Sequence, residues 1–271
     1  MPFELSKSQV DGDDDKSGKD TSSSPPPHTA IHLMKKRLSG FETEAGRLNG
    51  LSYRPRNKDE VVITTTPKAG TTWMQQICHQ LRSAVPDGGD MDFDEISQVV
   101  PWIELAYDQQ QDLNADQYGN DDEKPRIFKS HCWQDHCPKF GKTIVVIRQP
   151  TDVVVSFYKF FEDWFFEPGS ISMDDFAEEF WLARGVPPSK MQNASYFIHL
   201  ISWYKRLLQQ TQSDTYDEGR VMFVCFEDLK DDLERQVRRV AKFISTDKVS
   251  SAVLRKKELN PFSVFLASRI S

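Results

Sequence analysis

EVVITT at residues 60–65 runs directly into TPKAGTTW at residues 66–73. The first part is a short β-branched run, which predicts a buried strand. Residues 71–83 have helical composition and follow a glycine, so a helix is expected to begin right after the loop. Such a strand–loop–helix unit is typical of α/β folds, and the unpaired amides at the start of the helix attract phosphate.

The side chains of residues 66–73 suit an anionic ligand. Gly70 lets the backbone approach an anion closely, and Lys68 supplies a positive charge. Thr71 and Thr72 supply hydroxyl donors, and Trp73 offers a flat face on which a purine could stack. The plain alternative is an ordinary turn with a chance lysine. The combination of lysine, glycine and tryptophan after a strand favours a phosphate site.

This loop differs from the Walker A motif of nucleotide kinases. That motif places its lysine directly after the second glycine, whereas Lys68 comes two residues before Gly70. Thr65 occupies the position of the first glycine. The spacing argues against a P-loop kinase that uses ATP and magnesium, which is kept as the less favoured alternative.

Further strand and helix signals alternate along the chain. They predict an α/β, P-loop-like three-layer fold with a central parallel sheet flanked by helices, which binds ligands beyond the carboxyl ends of its strands. Residues 86–124 form a long polar connection with one short helix expected around 93–106, and this length favours a segment that covers substrate. The other predicted strands span 126–129, 142–147 and 220–226, and the other predicted helices span 152–166, 194–208 and 228–244.

Two of these strands end in side chains that fit a transfer site. Arg148 follows the strand at 142–147, and a guanidinium fork matches the geometry of a phosphate. His131 and Lys129 lie at the end of the strand at 126–129. An imidazole with a pKa near 6.5 can take a proton from a hydroxyl or amine at neutral pH. A surface ion pair for the arginine and a structural role for the histidine are the plain alternatives.

These motifs together resemble the cytosolic sulfotransferase family. Residues 66–73 resemble the family's Tyr-Pro-Lys-Ser-Gly-Thr-Thr-Trp loop, with Thr66 in place of Tyr and Ala69 in place of Ser. The resemblance implies transfer of a sulfuryl group from 3′-phosphoadenosine 5′-phosphosulfate (PAPS) to a hydroxyl or amine of a small acceptor. It assigns donor binding in this loop to Lys68, Ala69, Gly70, Thr71, Thr72 and Trp73.

Two further segments carry the resemblance on the donor side. Residues 148–158 resemble Arg-Asn-Pro-Lys-Asp-Val-x-Val-Ser-x-Tyr, which implies that Arg148 and Ser156 hold the 3′-phosphate of the donor. Residues 223–230 resemble Phe-x-x-Tyr-Glu-Asp-x-Lys, which implies that Phe226 lies near the adenine in place of a tyrosine.

The resemblance also implies the catalytic and acceptor residues. Lys129-Ser130-His131 resembles the family's Lys-Thr-His, which makes His131 the general base beside the acceptor. Lys68 and Lys129 are expected to neutralise charge during transfer. Trp102 is the best candidate for the acceptor wall, and aromatic walls favour a flat or apolar alcohol, phenol or amine. Most rings at 157–166 are expected to be core.

A zinc site is the competing interpretation of the stretch around His131. His131, Cys132, His136 and Cys137 lie close together in the sequence. Structural zinc sites use two separated ligand pairs, and this spacing does not match them. No metal is therefore predicted.

The ends of the chain differ from the family. Residues 1–27 are predicted to be a disordered tail, residues 28–260 a sulfotransferase-like domain truncated at its C-terminal end, and residues 261–271 an unmatched tail. The family's closing Arg-Lys-Gly-x-x-Gly-Asp-Trp-Lys segment is absent from this sequence, and Arg255-Lys256-Lys257 lacks its glycines. A catalytically inactive sulfotransferase-fold binding protein is therefore kept as an alternative function.

The composition of the chain argues against several other classes of protein. The formal net charge of -7 argues against binding to nucleic acid or to an anionic membrane surface. No apolar run reaches the roughly 20 residues of a membrane span. The 4 cysteines do not form a disulfide framework, which predicts a cytoplasmic protein in a reducing compartment.

Overall fold

The computed structural model of this protein describes residues 27–83, 92–119, 125–212 and 219–244. The predicted disordered tail lies outside these ranges except for Pro27, which begins a helix. The end of the predicted domain at 245–260, with its basic residues 255–257, and the unmatched tail at 261–271 also lie outside them.

Four parallel strands form the central sheet of the described residues, which confirms the predicted fold class. They are β1 (Val61–Thr65), β2 (Ile127–Ser130), β3 (Lys142–Ile147) and β4 (Arg220–Cys225). Their order across the sheet is β2-β1-β3-β4, and all three pairings are parallel. Parallel strands share one direction, so their four carboxyl ends lie along the same edge of the sheet.

Helices occupy most of the remaining described chain, and their starts are encoded locally. The second helix is capped by Thr43, whose hydroxyl accepts the Gly46 N–H at 3.0 Å. The fourth helix begins at Pro150, whose fixed φ suits the first helical position. The helices are α1 Pro27–Ser39, α2 Glu44–Leu51, α3 Thr71–Arg82, α4 Pro150–Trp164, α5 Met173–Phe176 with a π-helical continuation at Ala177–Leu182, α6 Tyr196–Gln212, α7 Phe226–Asp231 and α8 Leu233–Ile244. No helix in the described ranges has the length and apolar character needed to cross a bilayer.

The prediction of one helix at 228–244 is wrong, because the chain breaks between α7 and α8 at Asp232. Its backbone has φ −147° and ψ 78°, outside the helical region. Its carboxylate accepts the Arg235 N–H at 3.0 Å near the start of α8. Aspartate side chains offer the backbone such alternatives to a continuous helix.

The expected helix around 93–106 is also wrong. The described residues there hold a single 3-10 turn at Ile96–Gln98. The next segment runs beside β2 instead: the Lys129 N–H donates to the Pro101 carbonyl, and the Ile103 N–H donates to the Lys129 carbonyl, each at 2.9 Å. This pairing supplies the backbone hydrogen bonds that a helix would have made, and it sets Trp102 opposite Lys129.

The core has a layer on each face of the sheet, as expected for a three-layer fold. Alternate residues of β1 point to opposite faces. Ile63 packs in a cluster with Met74 of α3, whereas Val62 packs in a second cluster with Trp203 of α6. All of these side chains are buried. The sheet is therefore covered on both sides, which explains the continuous apolar character of its strands.

A third cluster, rich in phenylalanine, packs α4 against α5 and the π-helical segment. Phe161 is its centre: its ring lies 4.6 Å from both Phe157 and Phe165, and 5.1 Å from Phe180. Only 2% of Phe161 is exposed. The cluster includes Ala69 of the loop after β1, so it packs against the buried side of that loop.

We expect Phe161→Ala to lower the free energy of unfolding by about 3–5 kcal/mol, because it leaves a cavity where four rings meet. Phe197→Ala is the matched control, since that ring is 45% exposed, and its cost should be about 1 kcal/mol or less. Urea unfolding followed by circular dichroism measures both. Equal losses in the two variants would contradict the central position of Phe161.

Candidate active site

The loop between β1 and α3 has a strained backbone. Lys68 has a φ of 70° and Gly70 a φ of 105°, both in the left-handed region that L side chains rarely adopt. A Cβ at Gly70 would also lie 2.6 Å from Cδ2 of Phe226. Glycine is therefore required at position 70. A lysine held at positive φ is the kind of strain that structures retain at functional sites.

The first turn of α3 keeps its backbone amides available for an anion. Gly70 is the N-cap and has no side chain to cap them, and the first turn carries no acidic residue. Thr72 is exposed at this end, as expected for a hydroxyl donor. Thr71 is buried instead, and its hydroxyl lies 2.5 Å from that of Thr65. Ala69 is fully buried beneath the loop and offers only its backbone.

Arg148 joins the end of β3 to this loop. Its Nη1 donates to the Lys68 carbonyl at 3.4 Å, and its Nη2 lies 3.5 Å from the carboxylate of Asp152. Its guanidinium also lies over the Phe226 ring at 4.6 Å. Its Nε is buried and has no hydrogen-bond acceptor among the described residues. A phosphate at this point would satisfy that donor.

Two aromatic rings lie near Gly70. Trp73 and Phe226 meet edge to face with their centroids 5.4 Å apart, and both are half-buried. They present the apolar surface expected for a base. Ser156 lies on α4 and is half-buried. The structure thus joins Lys68, Gly70, Trp73, Arg148 and Phe226 by direct contacts.

His131 lies directly after β2 with its ring against the end of β1. Its Nδ1 is 2.8 Å from the Thr65 carbonyl, which can only accept, so Nδ1 carries the proton. The second nitrogen, Nε2, then has a free lone pair. Burial, followed by the nearby Lys129 charge, holds the pKa of His131 well below its usual value. The imidazole is therefore neutral at pH 7 and can act as a base.

Lys129 lies near this imidazole, and Lys68 lies near Lys129. The Lys129 ammonium lies 3.9 Å from the centre of the Trp102 ring, and burial lowers its pKa to about 8. The Lys68 ammonium lies 4.6 Å from the centre of the Phe160 ring. Burial and the charge of Arg148 lower the pKa of Lys68. Both cations are held by aromatic faces, which leaves them available to an anionic group.

The predicted acceptor residue Trp102 lies at the centre of an aromatic group. Its ring meets His131 edge to face at 4.9 Å and lies 6.1 Å from Phe41. Phe160, expected to be simple core, is only partly buried and touches Lys68. Phe41 was not foreseen, because it stands alone in sequence before α2.

Glu104 is the polar residue of this region that the motifs missed. Its side chain is fully buried, and its Oε1 accepts the His131 backbone N–H at 2.6 Å. A glutamate inside the apolar run at 100–106 is unusual, because buried carboxylates need partners. That contrast was the available signal in the sequence.

Among the residues considered for zinc, Cys132 and Cys137 are buried thiols, and His131 is held on the Thr65 carbonyl. Burial raises the pKa of the Cys132 and Cys137 thiols, which keeps them protonated and poor metal ligands. His136 instead packs edge to face against Trp133 at 5.3 Å. Across the described residues, no three His, Cys, Asp or Glu side chains are grouped to hold a metal ion.

Comparisons with known proteins identify the family of this chain. Residues 58–260 match the family model described as the sulfotransferase domain. Sulfotransferase 1E1 of Rattus norvegicus is 28% identical over 214 residues, covering 74% of this chain and 63% of that relative. Sulfotransferase 1B1 of Canis lupus familiaris is 27% identical over 198 residues, covering 69% of this chain and 59% of that relative. The chain thus spans about three fifths of the length of these curated relatives.

A solved structure supports the fold. The crystal structure of an Arabidopsis thaliana protein assigned as a steroid sulphotransferase superposes with a TM-score of 0.54 at 18% identity, covering 79% of this chain and 75% of that chain. The family match contains the whole described sheet, the loop after β1 and the ends of β2 and β3. The chain therefore belongs to the sulfotransferase domain family.

Proposed function

We propose that this protein transfers a sulfuryl group from PAPS to a hydroxyl or amine of a small acceptor. The observation that carries the proposal is the geometry of His131, whose Nδ1–H is fixed on the Thr65 carbonyl. This bond leaves the ring's lone pair on Nε2, burial and the nearby Lys129 charge keep the ring neutral, and the ring meets Trp102 edge to face. Family membership supplies the reaction class.

The donor side fits an adenosine 3′,5′-bisphosphate group. Uncapped amides of α3 and the Lys68 ammonium suit the 5′-phosphosulfate. Arg148, with its unpaired Nε, suits the 3′-phosphate together with Ser156. The Trp73 and Phe226 rings suit the adenine face.

The transfer step follows from these positions. His131 Nε2 takes the acceptor proton while the acceptor oxygen or nitrogen bonds to sulfur. The bond between sulfur and the bridging phosphate oxygen breaks, and adenosine 3′,5′-bisphosphate leaves with that electron pair. Lys68 and Lys129 neutralise the charge that develops on the leaving oxygen and the sulfuryl group. The work is mostly positioning and charge stabilisation, as in phosphoryl transfer.

The aromatic group around Trp102 favours an acceptor with a flat or apolar body, such as an alcohol, phenol or amine.

We assign the protein to the cytoplasm. All four cysteines are free thiols, as expected in a reducing compartment.

Calorimetry with adenosine 3′,5′-bisphosphate tests the donor side. We expect Lys68→Ala and Arg148→Ala each to weaken binding by about ten- to a hundredfold, since each loses charge-assisted hydrogen bonds worth about 1.5–3 kcal/mol. Lys159→Ala is the matched control, because that lysine is exposed on α4, and it should bind like wild type. No detectable binding by folded wild type would reject the donor site, whereas donor binding without any sulfated product would favour the inactive binding protein.

His131→Ala should lower the rate of transfer by about 10²–10⁴-fold, because it removes the general base. Binding of adenosine 3′,5′-bisphosphate should be unchanged. An assay with radioactive sulfate in the donor measures the rate, and His32→Ala, an exposed histidine on α1, is the control. Unchanged turnover in His131→Ala would remove the imidazole from the mechanism.

The pH dependence of transfer follows from the two buried groups. The low pKa of His131 keeps the base active throughout the neutral range. Lys129 loses its charge as pH rises through about 8, so the rate should fall there. Lys129→Arg keeps the charge at higher pH and should move this decline upward, as a steady-state pH profile would show. A wild-type rate that stays constant well above pH 8 would contradict a role for the Lys129 charge.

A further inference from the structure

Glu104 places a carboxylate inside the core behind the proposed transfer site. It is 0% exposed. Its Oε1 accepts three donors from consecutive residues after β2: the Ser130 hydroxyl at 3.2 Å, the His131 N–H at 2.6 Å and the Cys132 thiol at 3.5 Å. Its Oε2 is buried and has no hydrogen-bond partner among the described residues. The carboxylate is therefore held in the core through Oε1, with the Arg47 cation nearby.

The backbone around Glu104 is fixed to the same segment. Residues 101 and 103 pair with Lys129 through two hydrogen bonds of 2.9 Å, and Trp102 lies opposite Lys129 in this pairing. The Lys129 ammonium then rests on the Trp102 ring at 3.9 Å. Glu104 is therefore tied both to His131, through its carboxylate, and to Lys129, through its own segment.

Among the charged groups that act on Lys129, Glu104 is the main source of negative charge. Lys129 is faced by the cation Lys68 and by two carboxylates, Glu104 and Glu95, with neutral His131 beside it. Glu95 is exposed, so its field is screened by water. Glu104 raises the pKa of Lys129 against burial and against Lys68, and leaves it at about 8.

The other groups that face Glu104 are one cation with further partners and two neutral thiols. Arg47 of α2 is buried and lies near Glu104, but it forms an ion pair with Glu42 at 2.7 Å and a hydrogen bond to Asn193 at 2.8 Å. The Cys132 and Cys137 thiols feel the same carboxylate and stay protonated. The negative charge of Glu104 is therefore shared between Arg47 and Lys129.

We propose that Glu104 is a positioning residue of the transfer site, which fixes the backbone of His131 and keeps the Lys129 ammonium charged. Its side chain is fully buried, so it acts through these two residues. The role in transfer rests on the proposed function, whereas the charge coupling between Glu104 and Lys129 does not.

The coupling is measured without any enzymatic assay. Lysines labelled with ¹³C at Cε are titrated by NMR in the full chain, and the Lys129 signal is assigned by its loss in Lys129→Arg. We expect Glu104→Gln, which keeps the shape but removes the charge, to lower the pKa of Lys129 by about one unit or more. Glu95→Gln should lower it less, because that carboxylate is exposed. An unchanged pKa of Lys129 in folded Glu104→Gln overturns the proposal.

Kinetic measurements then separate the effect of the Glu104 charge on Lys129 from its effect on the position of His131. In Glu104→Gln the high-pH decline in kcat should move to lower pH by the same amount as the pKa of Lys129. Glu104→Asp keeps the charge but shortens the reach to the His131 N–H. It should lower kcat by about tenfold or more while the high-pH decline stays near its wild-type position. Identical pH profiles in wild type and Glu104→Gln overturn the catalytic part. A wild type that transfers no sulfuryl group rejects the proposed function, and the NMR titration still decides the coupling.

Discussion

The parallel register of β1 between β2 and β3 is the constraint on which the site depends. Thr64 pairs with Ser130, and Thr65 pairs with Val146. Because of this register, the loop after β1, the His131 backbone after β2 and Arg148 after β3 leave the sheet within a residue or two of one another. A slip in pairing would turn each strand's side chains to the opposite face and separate these groups. The chemistry therefore follows from strand pairing before any side chain is considered.

Burial away from water sets the protonation states of the side chains at the carboxyl edge of the sheet. Burial favours the neutral forms of His131 and Lys129, and in the imidazole this is the form that the proposed base needs. For the lysine, burial opposes the positive charge that the proposed transfer needs, so nearby anions must compensate. The two groups stand next to each other but need opposite protonation states at neutral pH. A buried carboxylate on the neighbouring segment is a physical solution to that conflict, since it acts on the lysine more than on the ring.

Sequence reasoning captured the parts of this architecture that local pattern controls. Short β-branched or apolar runs predicted the four strands, and the polar residues that follow three of them were predicted as the loop at 66–73, His131 and Arg148. It failed where a distant partner decides the outcome. Residues 101–103 abandon the expected helix because β2 offers them hydrogen bonds, and Asp232 breaks a helix through its own side chain. The contacts of Glu104 and of Phe41 depend on residues distant in sequence, so no motif encodes them.

The near-contact between Gly70 and Phe226 links the first and last strands of the described sheet. β4 lies at one edge of the sheet, and the residue that follows it closes over the loop that follows β1. A nucleotide that stacks on Phe226 would then bind only to those copies of the protein in which β4 is paired with β3. Binding of such a ligand and docking of β4 would then be linked thermodynamically, so that a ligand in the loop would add to the free energy that holds β4 in place. Release of a nucleotide held by this ring would therefore be coupled to opening of that edge.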